Sequence, residues 1–277
     1  MFGVGGQHES YLLSHMEPQS RMSLISRINP MWYPDIWELR IRRRLQLLGL
    51  RRVRQTVIEL NSVAELSKLF GWTARPTLDD PEIHQFDSVR DVNERRLRDA
   101  EVLATVVANV QPAAALDIGT STGHSAAMIA INAPNGTVYT INIPPEAADK
   151  GEGGNFITHS LDRQVIGSYY RERGLRNIVQ IYADTAKWDP RTVPPLDLAL
   201  IDGCHDTNYV VNDTRKALSR LRRGGFVLWH DFSPDHAERY DWIHAVCLGV
   251  ERLLRSGLVR GEIYHVRDSW FGVYRAP

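Results

Sequence analysis

From Asp91 to Tyr274 the sequence alternates short apolar runs with longer stretches of helical period, and this alternation restricts the fold more than any other feature. The apolar runs are Ala113–Ile118, Thr137–Ile143, Asn177–Tyr182, Leu196–Ile201, Phe226–Trp229, Glu262–Val266 and Trp270–Tyr274. Runs of this length with no polar face suit strands buried on both sides, as parallel sheets require. Between them, Asp91–Val110 carries Leu97, Val102, Leu103, Val106 and Val110 on one helical face and is stopped by Pro112. A second helix begins near Gly123. A third, Tyr209–Leu221, is expected to end in a glycine cap at Gly224-Gly225. Strand and helix in turn over this length predict a doubly wound α/β sheet of seven strands.

In such a sheet the ligand crevice lies at the carboxyl ends of the strands. Two of the runs stop abruptly at acidic and imidazole groups: Leu200-Ile201-Asp202-Gly203-Cys204-His205 and Leu228-Trp229-His230-Asp231. Adjacent strand ends would bring Asp202, His205, His230 and Asp231 to one pocket, a set suited to a divalent cation and a general base. The first strand leads into Asp117-Ile118-Gly119-Thr120-Ser121-Thr122-Gly123. There Gly119 allows the turn and Gly123 lets the next helix start close to the strand. The three glycines of a dinucleotide fingerprint would be spaced differently.

Before residue 91 the periodicity is weak. Within 37–54, seven arginines (Arg40, Arg42, Arg43, Arg44, Arg51, Arg52 and Arg54) face a lone Glu38, with apolar residues between them, so an amphipathic helix is expected. Its basic face suits either an anionic membrane surface, for peripheral contact, or packing on the main domain or a second copy in a homo-oligomer. The division is therefore an N-terminal, partly helical extension, 1–90, and an α/β domain, 91–277. Pro144–Gly154 is expected to be a long loop beside the crevice. The formal net charge is zero across 277 residues, which gives no field for nucleic acid. Cys204 and Cys247, the only cysteines, form no zinc spacing or disulfide framework. No apolar run approaches a membrane span, and Met1–Ser20 lacks a secretory pattern. A soluble cytoplasmic protein is the expectation.

The motif Asp117-x-Gly119-x-Ser121-x-Gly123 resembles motif I of the class I S-adenosylmethionine-dependent methyltransferases, with Ser121 in place of the middle glycine. Ile201-Asp202-Gly203-x-His205, Val211-x-Asp213, Gly224-Gly225 and Trp229-His230-Asp231 resemble the cation-dependent, macrocin O-methyltransferase-like group, and more distantly catechol O-methyltransferase. The resemblance covers about Asp91 to Tyr274. It implies a Rossmann-like sheet, mostly parallel with an antiparallel last strand. It implies S-adenosylmethionine as cofactor, held by Asp117, Gly119, Ser121, Gly123, Asn142, Asp184 and Asp202. It also implies a divalent metal, magnesium before manganese or another transition metal, on Asp202, His230 and Asp231. His205 would be the general base, and the acceptor the hydroxyl of a small molecule such as a sugar or glycosylated natural product.

Two positions depart from the family pattern. Asn142 stands where an acidic residue usually grips the ribose, and is equally a strand-end turn residue. His230 replaces an acidic ligand. The rival functions are a nicotinamide-dependent oxidoreductase, disfavoured by the glycine spacing and the lack of a Tyr-x-x-x-Lys pair, and a non-catalytic protein on the same fold. Trp229 is expected in the core, Asp213 only to anchor its neighbour, and His124 and Ser125 near the cofactor carboxylate. His159, Ser160, Tyr169 and Tyr170 would wall the acceptor pocket or simply pack.

Overall fold

The computed structural model describes residues 50–78, 98–148 and 161–277. Helix α1 (Arg51–Thr56) runs straight into β1 (Val57–Leu60), followed by α2 (Val63–Phe70) and α3 (Asp99–Val110). Then come β2 (Ala114–Ile118), α4 (His124–Asn132), β3 (Thr137–Asn142), the short α5 (Pro145–Ala148), α6 (Ser168–Glu172) and β4 (Ile178–Tyr182). A 3-10 turn at Pro190–Thr192 precedes β5 (Leu196–Ile201), α7 (Thr207–Arg220), β6 (Leu221–Trp229), α8 (Asp241–Ser256), β7 (Ile263–Val266) and β8 (Gly272–Arg275).

One sheet collects all these strands in the order β1-β7-β8-β6-β5-β2-β3-β4. Only β8 is antiparallel to its neighbours. The mostly parallel sheet with an antiparallel last strand is thus borne out, with one strand more than expected. The eighth is β1, contributed by the segment assigned to the N-terminal extension, so the sheet reaches back across residue 90. Val57–Leu60 is too short to show a period, and its partner, β7, lies at the other end of the chain.

Strand parity sorts the core into two layers. Leu116 and Ile118 of β2 face a layer that holds Val53 of α1, Val210 and Ala217 of α7, and Val246 and Leu253 of α8. Ala115, one residue before Leu116, faces the opposite layer with Leu66 of α2, Val102 and Val106 of α3, and Met128 of α4. Truncating any of the buried leucines to alanine is expected to cost about 2–5 kcal/mol. Local signals place several helix ends. Ser62 Oγ accepts from Glu65 N at the start of α2, and Gly71, with φ +69°, closes it.

The expected glycine cap after α7 is corrected. Leu221 is already extended (φ −71°, ψ 132°), and Arg222 to Gly225 belong to β6. Gly224 N and Gly225 O bond to Ala276, so the far end of the chain draws this segment into the sheet. Of the basic helix expected over 37–54, only Arg51–Arg54 falls within the described residues, in α1. The first part of the helix expected from Asp91, the rest of the 144–154 loop after α5, and His159 with Ser160 lie outside them. No helix among the described residues is long and apolar enough to cross a membrane.

Candidate functional site

The chain runs outward from β2 through β3 to β4, then returns to place β5 on β2's other side. That reversal opens a crevice at the carboxyl ends of β2 and β5. The cleft there is lined by Gly119, Ser121, Asn142, Asp184, Asp202 and Tyr209, with Gly203, Cys204 and Leu161 among the others. Cleft lining by Tyr209 and Leu161 carries no motif signal in the sequence, and Cys204 occupies only the unspecified position of Ile201-Asp202-Gly203-x-His205.

The glycine turn is fixed by its neighbours. Gly119 N and Thr120 N both donate to Ile141 O, and Asp202 N donates to Ile118 O. Gly119 has φ +111°, and a Cβ there would lie 2.0 Å from Asp202 O, so β5 leaves room only for glycine. At Gly123, with φ +99°, a Cβ would meet the Tyr170 ring at 2.6 Å. Gly167 N and Tyr169 N donate to Ser121 O and Thr122 O, which straps the segment before α6 across the turn. Ser121 itself holds φ +48°.

Beneath the turn lies a chain of polar groups that the sequence did not announce. Thr140 Oγ1 donates to Asp117 Oδ2 at 2.6 Å and lies 2.7 Å from Thr120 Oγ1. Gln180 Nε2 donates to Thr120 Oγ1, and Tyr170 OH donates to Gln180 Oε1. Asp117 therefore corrects an expectation. Its parity with Ala115 turns it toward α4, where Ser125 Oγ donates to Oδ1 at 3.1 Å, and it is 0% exposed. It braces the turn from below and does not line the cleft. Burial pushes its carboxyl up to about 7, against the hydrogen bonds of Thr140 and Ser125, with Asp202 adding to the rise. Ser125 is committed to that brace, and His124 packs edge-on against Tyr169.

Asn142 lines the cleft and serves the turn as well. Its Oδ1 accepts from Ser121 N at 3.0 Å, and its Nδ2 donates to Ile143 O at 2.9 Å. Asp184, at the end of β4, accepts through Oδ1 from Ala186 N (2.9 Å) and Tyr209 OH (3.1 Å). Tyr169 and Tyr170 pack: Arg173 lies 3.6 Å over the Tyr169 ring, and Tyr170 is buried. Trp229 is core, as expected, with Nε1 donating to Thr214 Oγ1. Asp213 is buried, accepts from Asn212 Nδ2, and is pushed up to about 7, chiefly by burial.

At the ends of β5 and β6 the four residues expected together do converge. His205 Nε2 lies 3.0 Å from Asp231 Oδ2 and 3.6 Å from Asp202 Oδ1. His230 Nδ1 lies 3.1 Å from Asp202 Oδ1 and 3.4 Å from Asp231 Oδ2. His230 Nε2 is 2.9 Å from Asp99 Oδ2, and that carboxylate, from the start of α3, was not foreseen. Asp231 holds a left-handed φ of +51°, and its Oδ1 accepts from Trp242 Nε1. A non-glycine residue held this way is strained, and such strain gathers at functional sites.

The charges reinforce one another. For Asp202, burial favours the neutral acid, but the charge of His230 and hydrogen bonds from both histidines outweigh it and hold the carboxyl down at about 2. Asp231 is likewise held well below the usual carboxylate range by His230 and His205 against its burial. In His205, burial opposes charge, yet Asp231 and Asp202 push the imidazolium up to about 10. His230 is raised well above its ordinary value by the same two carboxylates. The two carboxylates thus hold a proton on His205 more tightly than on an isolated imidazole.

Asp202, His205 and Asp231 present donor atoms within 4.8 Å of one another, close enough to share a metal ion. The donor set fits a divalent cation on one further observation. His205 Nε2 is buried and makes no aligned hydrogen bond although Asp231 Oδ2 is 3.0 Å away; a cation at that point would displace the ring proton and take the nitrogen lone pair together with the carboxylate oxygens. His205 joins Asp202 and Asp231 in that set, while the expected ligand His230 stands behind them, bridging to Asp99.

Sheet order, glycine turn and crevice together make a Rossmann-like α/β fold. Residues 116–232 match the model of a family described as a methyltransferase domain, which bears out the resemblance read from the motifs in that span. Among solved structures, the chain is similar to the SAH-bound methyltransferase PaMTH1 of Podospora anserina, at 14% identity and TM-score 0.50, covering 78% of this chain and 95% of that one. It is also similar to a putative O-methyltransferase from Klebsiella pneumoniae (18% identity, TM-score 0.49, 82% and 100% covered). A third is the O-methyltransferase TomG of Streptomyces achromogenes, involved in tomaymycin synthesis and solved with SAM (17% identity, TM-score 0.49, 83% and 100% covered). No curated protein matches the chain in sequence.

Proposed function

We propose that the protein is an S-adenosylmethionine-dependent O-methyltransferase acting on a hydroxyl of a small molecule, a sugar or glycosylated natural product being the favoured class, with a divalent cation at the acceptor end. The observation that carries this reading is the double membership of Asp202. It lines the cleft with Gly119, Asn142 and Asp184, and it belongs to the charged cluster with His205 and Asp231. A donor in the cleft and an acceptor at the cluster would meet across that one side chain.

Gly119 and Ser121 would offer a close backbone approach, while the Asn142 amide and Asp184, which line the same cleft, would meet the ribose and the adenine amino group. When bound, S-adenosylmethionine would supply an activated methyl group: the acceptor oxygen would take the methyl carbon as the C–S bond breaks, its electron pair remaining on sulfur in S-adenosylhomocysteine. A cation held by Asp202, His205 and Asp231 would lower the acceptor hydroxyl's pKa and fix its position. The residues themselves would align the oxygen with the methyl group, and a cation that displaces an imidazolium proton would leave the carboxylate–imidazole network free to receive the proton of the hydroxyl.

The test is calorimetric titration with S-adenosylhomocysteine, followed by transfer of labelled methyl to a panel of sugar and phenolic hydroxyls with magnesium, manganese or a chelator. Binding with metal-dependent transfer is expected. Absence of binding by both S-adenosylmethionine and its product would sink the reading.

A further inference from the structure

Asp99 opens α3, outside the segment that matches the family model, and is separated from His230 by 131 residues. Its side chain is nevertheless buried to 1% exposure and reaches the charged end of the sheet. Oδ1 accepts from Trp270 N at 2.7 Å, and Oδ2 lies 2.9 Å from His230 Nε2. The other ring nitrogen, Nδ1, faces Asp202 Oδ1 at 3.1 Å and Asp231 Oδ2 at 3.4 Å. The Phe271 ring stands edge-on at 4.9 Å, and the His230 side chain is 5% exposed, so the imidazole has little room to turn.

The donors and acceptors in this row leave one arrangement. An ionised carboxylate only accepts, and the Trp270 amide only donates. The Trp270 amide therefore fixes Oδ1, and Oδ2 requires a proton on His230 Nε2, whether the ring is neutral or charged. We infer that Asp99 is a positioning residue of the acceptor site: it keeps the proton on Nε2 of His230 and so aims Nδ1 at the Asp202–Asp231 pair. The geometry stands by itself; its consequence for catalysis rests on the proposed methyl transfer. A histidine whose outer N–H is anchored on a carboxylate keeps its inner nitrogen oriented, and loss of such an anchor in metal-assisted sites reduces affinity or activity.

Asp99→Asn separates this role from simple support. Its amide oxygen still accepts from Trp270 N, which forces its NH₂ toward His230. Two donors cannot face each other, so Nε2 must give up its proton and accept, leaving Nδ1 as the ring's one donor, toward Asp202 and Asp231. Nitrogen-15 NMR of the histidine rings at mildly alkaline pH, with His230 assigned through His230→Gln, reads this directly. A protonated Nε2 is expected in the wild type and a lone-pair Nε2 in Asp99→Asn. In the same variant S-adenosylhomocysteine affinity should hold, while kcat for methyl transfer falls about 10–100-fold with little change in the acceptor KM.

A protonated Nε2 in Asp99→Asn, or an unprotonated one in the wild type, overturns the inference. If Asp99→Asn does not fold, the wild-type spectrum decides alone. A wild type that shows the expected ring protons but transfers no methyl group would refute the proposed function and leave the role of Asp99 standing.

Discussion

At the ends of β2 and β3 the cleft is lined by backbone, glycine and the Asn142 amide, with Asp117 buried below and pushed up to about 7. At the ends of β5 and β6, two carboxylates held low and two imidazoles held high crowd into the same crevice. The first half gets its shape from a chain reversal and neutral hydrogen bonds. The second gets it from charges that stabilise one another, each imidazolium by the carboxylates and each carboxylate by the imidazoliums. A site of the first kind suits a molecule recognised by outline and backbone contacts. One of the second kind suits moving a proton or holding a cation.

The comparison can be broken most sharply at the residue the halves share. Asp202→Ala removes a cleft wall and a cluster member together, so methyl transfer should fall by about 10²–10⁴-fold in kcat/KM, the scale of a lost proton-transfer partner, in a steady-state assay. A smaller loss than this would mean that the two halves do not work across Asp202.

Gly119→Ala acts on the outline alone. The new Cβ would overlap Asp202 O, at 2.0 Å, and the +111° φ is unsuited to alanine. A loss of about 3 kcal/mol in denaturant unfolding is expected, together with weakened S-adenosylhomocysteine binding by calorimetry.

The smallest effects should appear as pH profiles of stability that fall in the same direction over two separate windows. The His205 pKa is raised from 6.5 to about 10 on folding, so its stabilisation is complete below 6.5 and fades as pH rises through 10. His205→Gln should therefore cost most in Tm near neutral pH, with the gap closing toward pH 10. Asp117 is an acid whose pKa is raised from 3.8 to about 7, so the folded state favours its protonated form and loses stability as pH climbs through that window. Asp117→Asn should lessen that loss, gaining on the wild type in thermal melts between about 4 and 7.

The same contrast explains what was legible beforehand. Asp117 to Gly123 is a local turn, and its glycines carry their own conformational signature, so its place at the end of β2 could be read directly. The meeting of Asp202, His205, His230 and Asp231 followed from two adjacent strand ends. Asp99 offered no such signal: it opens an ordinary-looking helix, and only tertiary packing turns it under Trp270 N. The parity that hides Asp117 was available from Ala115 and Leu116, but a motif-based role outweighed it. His205 was placed near neutrality because an isolated imidazole titrates there, and only the distances to Asp231 and Asp202 show why this one does not. The end of α7 was misjudged because glycines suggested a cap where Ala276, at the other end of the chain, supplies strand bonds.

The pairing of β1 with β7 has a consequence for how the protein is made. Glu59 and His265 meet at 2.8 Å across 206 residues, and all four residues of β1 find their partners in Ile263–Val266. During synthesis β1 leaves the ribosome long before β7 exists to pair with it, and it stays unpaired until the β7–β8 hairpin emerges. Contacts of this span slow folding, and exposed strand edges invite wrong partners. The chain thus depends on its final residues to cover one of its earliest strands, and an interrupted translation product would carry that edge bare.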